Sequence, residues 1–253
     1  MLEILETIKQ RNEILFYFGL LAFIGTIITA ILTQTTSIQI MGINAYYKPM
    51  KFFLSTAIFA WTLAFYMQYL QNQQHVSIVS WITAIGLAYE LVAITMQAAR
   101  NKISHYNNQT PFDTLIYALM GLVITIVILS VLYIGILFFT QKIFSTTSIV
   151  IWSIRLSIIV TVIFSFEGFL MGSYLKHTIG AEDGTKGLPV LNWSRTNGDL
   201  RVAHFLGLHA IQVIPIISYY IAKNTTHVFI IATLYLVIVT ATLIQALLGK
   251  PLF

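Results

Sequence analysis

Seven times along this chain a run of about 20 residues passes with almost no charge, and about 20 residues rising about 1.5 Å each is the length that crosses a hydrocarbon layer. The runs lie near 14–34, 51–70, 76–98, 112–140, 148–174, 202–222 and 227–248, separated by polar or Pro/Gly-rich punctuation. A backbone buried in lipid must satisfy its own hydrogen bonds, which a helix does locally. The expectation is an all-α integral membrane bundle of about seven transmembrane helices, one domain over 1–253, with the lipid bilayer as its principal partner. Composition agrees: 57% of the residues are apolar, 9% are charged and the mean hydropathy is +0.82.

The net charge of +5 could signal nucleic acid in a soluble protein, but here no basic run is interleaved with aromatics, so no nucleic-acid partner is expected. Instead the cations mark the membrane faces. The connections at 35–50, 99–111 and 175–201 are longer than the others and fall on one side of a seven-span topology. That side carries Lys48, Lys51, Arg100, Lys102, Lys176, Lys186, Arg195, Arg201 and Lys250, against Lys9, Arg11, Lys142 and Lys223 opposite. Nine against four favours a cytoplasmic long-loop face in a multi-pass protein. With no cysteine in the chain, disulfides, thiolate metal ligands and cysteine nucleophiles are excluded.

Ionisable residues inside the spans are the strongest pointers to a site, because a charge facing lipid is costly. Glu90 lies about 15 Å along its helix from Arg100, and Glu167 lies well inside the fifth span. Each should pair with a cation, bind a metal or hold a proton; Arg155, Arg100 and Lys51 are the available cations for a purely structural pair. The sixth span opens Asp199-Leu-Arg201-Val-Ala-His204-Phe-Leu-Gly207-Leu-His209-Ala-Ile-Gln212-Val-Ile-Pro215. His204 and His209 diverge by about 140° around a helix, with Gln212 between them, and Pro215 should kink it.

The connection 175–201 reads as a folded lid: glycines and Pro189 set tight turns, Trp193 can anchor at the headgroup level, and Asp199 can cap the sixth helix. Asp183, Arg195 and Arg201 supply charge on this lid. In the third connection Thr110 or Asp113 can cap the fourth span, and Ser104, His105 and Asp113 carry the residue types of a hydrolase triad without its geometry being implied. Tyr47-Lys48-Pro49-Met50-Lys51 ends the first long connection, placing two cations at the mouth of span two. His105, His177, His204 and His209 all fall on or below the long-loop face.

Three runs carry a resemblance: Lys48-Pro49-Met50-Lys51-Phe52; Gln97-Ala-Ala-Arg100 with Ser104-His105-Tyr-Asn107; and Gly187-Leu-Pro189 through Trp193-Ser194 to Gly198-Asp199-Leu-Arg201-Val-Ala-His204-Phe-Leu-Gly-Leu-His209-Ala-Ile-Gln212. Together they resemble a family of uncharacterised bacterial polytopic membrane proteins. The resemblance implies a bacterial cell (inner) membrane and supplies no chemistry.

Three functions compete, and the gathering of so many titratable residues at one end, not along a path through the membrane, favours the first, an enzyme. An enzyme would use Glu90, Glu167, His204 and His209 as metal ligands for zinc, iron or manganese, or as acid–base groups, on a lipophilic small molecule; Lys48, Lys51, Gln97, Arg100, Asp183, Trp193, Arg195, Asp199, Arg201 and Gln212 would line its substrate and lid region. A haem variant would draw axial ligands from His105, His177, His204 and His209. A proton-coupled carrier would load protons on Glu90 and Glu167 and attract an anionic solute with its cationic loops. A ligand-sensing receptor is the third reading. Retinal chemistry is excluded by the lack of a lysine inside span seven, where Lys250 sits at the very end.

Overall fold

The computed structural model describes residues 2–184 and 187–252, with side chains from Leu5 onward, so Lys186 lies outside it. Among the described residues the chain is helical throughout: α1 (Leu2–Arg11), α2 (Glu13–Thr35), α3 (Tyr47–Met67), α4 (Gln73–Ala99), α5 (Pro111–Thr140), α6 (Ser148–Tyr174), α7 (Leu200–Leu208), α8 (Ala210–Ile221) and α9 (Thr225–Leu247). Two two-residue hairpins interrupt it, β1 (Gln39–Ile40) with β2 (Ile43–Asn44), and β3 (Thr178–Ile179) with β4 (Gly198–Asp199). Helices α2 to α6 and α9 are each long and apolar enough to cross a membrane, and α7 with α8 qualify together as a broken span or a re-entrant loop, bent by 53°. The protein is an all-α multi-pass membrane bundle. Its exposed surface agrees, since Leu21, Ile85, Val92 and Leu234 turn outward where water would disfavour them and lipid does not.

Helix starts are written into short polar side chains. Asn12, Asn72, Thr147, Asn224 and Asp199 each accept a backbone N–H in the first turn of α2, α4, α6, α9 and α7 respectively, and Thr110 does so for α5. Span two begins at Tyr47, four residues earlier than its apolar run, so Lys48 and Lys51 belong to the first turns of α3 and not to a loop mouth. Pro49 permits this because a first-turn residue has no intrahelical N–H bond to lose.

The chain divides into two compact units, residues 1–130 and 131–253, and the division falls inside the continuous α5. In the first unit α2 and α3 pack tightly because small residues meet rings. A Cβ on Gly19 would overlap the Trp61 indole, whose N–H donates to the Phe16 carbonyl at 3.1 Å. Asn12 also donates from its side chain to Ser80 of α4 at 2.7 Å. The β1–β2 turn uses left-handed Met41 and Gly42, and Asn44 then donates to the Thr33 and Thr36 carbonyls at the end of α2.

In the second unit the core is Val160 and Phe164 of α6, Ala203 of α7, Ala210 and Ile214 of α8, and Ala232 and Val239 of α9. Gly207 lies flush on Phe164, with no room for a Cβ between them. Gly198 of β4 likewise lies against the Ala246 carbonyl at the end of α9.

Candidate functional site

Within the second unit, Glu167 sits on α6 seven residues before Tyr174, about 10 Å along the axis from that end. His204 of α7 crosses it over Gly168, where a Cβ would come within 3.1 Å of the imidazole Cε1. The absence of that Cβ is what admits the ring. Nδ1 of His204 stands 3.0 Å from Oε2 of Glu167, with side-chain exposures of 26% and 5%. The contact has the distance of a hydrogen bond but not its alignment: Nδ1 and both carboxyl oxygens are buried without a properly directed hydrogen bond from any protein group. Buried polar atoms in this condition call for a proton shared along the contact, or for water.

Five residues further the helix breaks. His209 has φ −84° and ψ 1°, its N–H reaches the Phe205 carbonyl at 3.1 Å, and its own carbonyl accepts from both Gln212 and Val213. The Tyr235 hydroxyl of α9 donates to the Leu206 carbonyl at 2.7 Å, serving an acceptor at the break. The bend was expected at Pro215, which instead lies within α8. Tertiary contacts flank it: Gly207 is pressed on Phe164 and Leu206 is held by Tyr235, while Pro215, which has no N–H to give the Ile211 carbonyl, lies six residues further on. His209 pairs through Nδ1 with Gln212 Oε1 at 3.2 Å, and its ring lies 4.3 Å from that of Phe205. Phe205 in turn meets Trp193 at 5.5 Å, which ties the 175–199 connection to the break by an aromatic ladder. Buried hydroxyls of Thr161 on α6 and Ser218 on α8 lack a protein partner.

The lid is a folded piece, as its composition predicts. Asp199 takes the Arg201 guanidinium at 2.6 Å and the Ser194 N–H at 2.8 Å, while Arg201 also donates to the Asn192 carbonyl. Burial alone would raise the Asp199 carboxyl, but the hydrogen bonds and charge of Arg201, the Ser194 N–H and the charge of His177 together hold it below the ordinary carboxylate value. Asp183 accepts from the His177 and Thr178 backbone N–H groups and stands 3.1 Å from the His177 ring nitrogen. Asp183, Asp199, Arg201 and His177 thus build the lid itself, and Arg195 is exposed on it.

In the first unit, Gln97, Arg100, Thr110 and Asp113 form a clasp between the end of α4 and the start of α5. Asp113 Oδ1 accepts from Gln97 at 2.9 Å and Arg100 at 2.8 Å, and Oδ2 accepts from Thr110 at 2.7 Å. Asp113 is therefore taken, and the Ser104, His105, Asp113 set does not assemble as a triad. His105 Nδ1 instead faces Ser104 Oγ at 3.1 Å and Lys48 Nζ at 3.3 Å, with the rings of Phe52, Tyr106 and Tyr117 about it. Glu90 is buried nearby enough for the Lys48 charge to act on it, and its Oε1 has no partner. Lys51 is half-buried in α3.

The structure brings Glu167 to His204 and separates the remaining candidate ligands. Among the described residues no group of three or more His, Asp or Glu side chains has the arrangement of a metal site, because His204 turns to Glu167 while His209 turns to Gln212. Arg155, offered above as a carboxylate partner, is not one: Nε and Nη2 donate to the Phe138 carbonyl at 2.9 and 2.7 Å, and the guanidinium lies on the rings of Phe139, Phe144 and Trp152. Sequence reasoning missed the Asn12–Ser80 and Tyr235–Leu206 links, for which only the isolated polar residue in an apolar helix was a signal. No family model, curated protein or solved structure matches the chain.

Proposed function

We propose that this protein is a proton-coupled carrier of a small lipophilic or anionic molecule, in which the Glu167–His204 pair takes up and releases the proton. The reading places it in a bacterial cell membrane with the long-loop face cytoplasmic, on the strength of the cation count and the sequence resemblance. The observation that carries it is the pair itself: a carboxyl and an imidazole 3.0 Å apart, beside a span that breaks at His209. Broken spans line sites near mid-membrane, and an intramembrane carboxyl–imidazole pair can hold one proton in two ways without leaving a bare charge in hydrocarbon. Loading the pair changes the charge between α6 and α7, which biases how the two helices meet. Among the described residues no three His, Asp or Glu side chains are grouped to hold a metal ion, so the pair is read as an acid–base device.

The chain has no cysteine, so single cysteines report cleanly. Ser218→Cys and Thr161→Cys, reconstituted in liposomes, should react with a membrane-impermeant maleimide to an extent that, after correction for ionisation of the thiol itself, changes with pH, and Glu167→Gln should hold the corrected reactivity at one level. Equal reactivity at every pH in both backgrounds would overturn the carrier reading. An acid–base enzyme is the second reading, favoured by the Trp193–Phe205–His209 ladder that fastens the lid beside the pair. Turnover of an added lipid-soluble substrate without any change in accessibility would replace the first reading by the second.

A further inference from the structure

Besides Glu167, the described residues hold one other carboxyl oxygen that is buried without a protein partner, and it belongs to Glu90. Glu90 is not isolated. Along α4, Thr83, Glu90 and Gln97 recur at seven-residue intervals, which drift only about 20° per step around a helix, and Ser80 lies one turn before Thr83 on the adjoining strip. All four are buried, with exposures of 0% for Ser80, Thr83 and Gln97 and 7% for Glu90. From Ser80 to Gln97 the strip runs about 26 Å, close to the roughly 30 Å of a bilayer's hydrocarbon.

Each end of the strip is tied to a polar network. At one, Ser80 accepts from Asn12, which caps α2 between two helices. At the other, Gln97 belongs to the clasp with Asp113 and the exposed Arg100, and Lys48 with His105 lies toward the same end. Between the ends, Thr83 Oγ1, Glu90 Oε1 and the hydroxyl of Tyr89 are buried with no protein partner. Polar atoms in a membrane interior do not stay unserved, and where the protein gives no partner, water does. The gaps on either side of Glu90 are each about 10 Å, the span of about three hydrogen-bonded waters.

We infer that the strip on α4 is a water-filled file that conducts protons through the first unit, with Glu90 as the one titratable group in its middle. Thr83 relays toward the Asn12 end, and Gln97 with Lys48 and His105 receives toward the Arg100 end. Lys48 is the cation whose charge reaches Glu90, and Tyr89 is its titratable neighbour on the same helix. Between Thr83 and Glu90 the Val127 side chain packs on Gly86, in the space a Cβ would need. The file is independent of the carrier reading above, because none of its residues belongs to the second unit.

The test is proton entry into liposomes holding the full chain, driven by a potassium gradient with valinomycin and read by a pH dye in the lumen. Wild-type protein should admit protons above the rate of empty liposomes; Glu90→Gln should return the rate to that of empty liposomes, and Glu90→Asp should keep most of it. Thr83→Val should slow entry several-fold. Val127→Ala should raise it, and the gain should vanish when Glu90→Gln is added, an outcome that misfolding does not imitate. Radiolytic footprinting of the wild type supplies a readout free of flux: internal water beside Tyr89 should mark that ring. No flux in wild type, flux unchanged in Glu90→Gln, a Val127→Ala gain that survives Glu90→Gln, or an unmarked Tyr89 each overturns the inference.

Discussion

The hydroxyl of Tyr235 donates to the carbonyl of Leu206 at 2.7 Å, joining α9 to α7 just where α7 ends. A carbonyl at a helix break needs a donor from outside its own helix. Tyr235→Phe keeps the ring and removes only that donor. It should lower stability by about 1–2 kcal/mol, the usual cost of leaving such an acceptor unmet. Reversible unfolding in mixed micelles measures it; an unchanged midpoint would show that the Leu206 carbonyl finds another donor.

The Glu167–His204 contact should behave as one unit. Glu167→Gln and His204→Gln each disturb it, and the double variant should be less destabilised than the sum of the singles by about 0.5–3 kcal/mol. A double-mutant cycle in unfolding free energy reads this directly, and additivity within experimental error would mean that proximity at 3.0 Å carries no coupling.

Gly207 and Phe164 are in closest approach, so Gly207→Ala should destabilise even though alanine is the better helix former. Forcing a methyl group into a packed contact typically costs about 1–3 kcal/mol. Phe164→Leu, which opens space on the opposite side, should recover part of the loss when combined with it.

Asp199 gives the lid a pH dependence whose sign follows from its depressed pKa. The folded carboxyl releases its proton more readily than an unfolded one, whose value is about 3.9, so its contribution is complete above that pH. It is lost as pH falls through the folded value. Hydrogen exchange of the Ser194 and Arg201 amides, both donors to Asp199, should therefore be slow above about pH 4, after correction for intrinsic rates, and accelerate below it. Asp199→Asn should abolish that step.

Much of this architecture is legible in one dimension. The apolar runs give the spans because crossing lipid demands a fixed length, and Thr110 and Asp199 announce helix starts because their oxygens can reach first-turn N–H groups. The lid's folded nature follows from its turn residues in the same way. What connects the spans is not local and was not legible. Helical periodicity gives the angle of Glu167 on α6 but not which side chain of α7 meets it. The break at His209 lies beside the Leu206 carbonyl that Tyr235 holds from 29 residues away, six residues before Pro215. Arg155 reads as a counter-ion by type, yet a helix-end carbonyl and three rings satisfy it.

Gly198 seats the lid's β3–β4 pair directly against the Ala246 carbonyl, with no side chain between the two backbones. Two main chains in such contact leave no gap for an added atom. Any side chain at position 198 would therefore have to part β4 from the last turn of α9, and with it the lid from its seat.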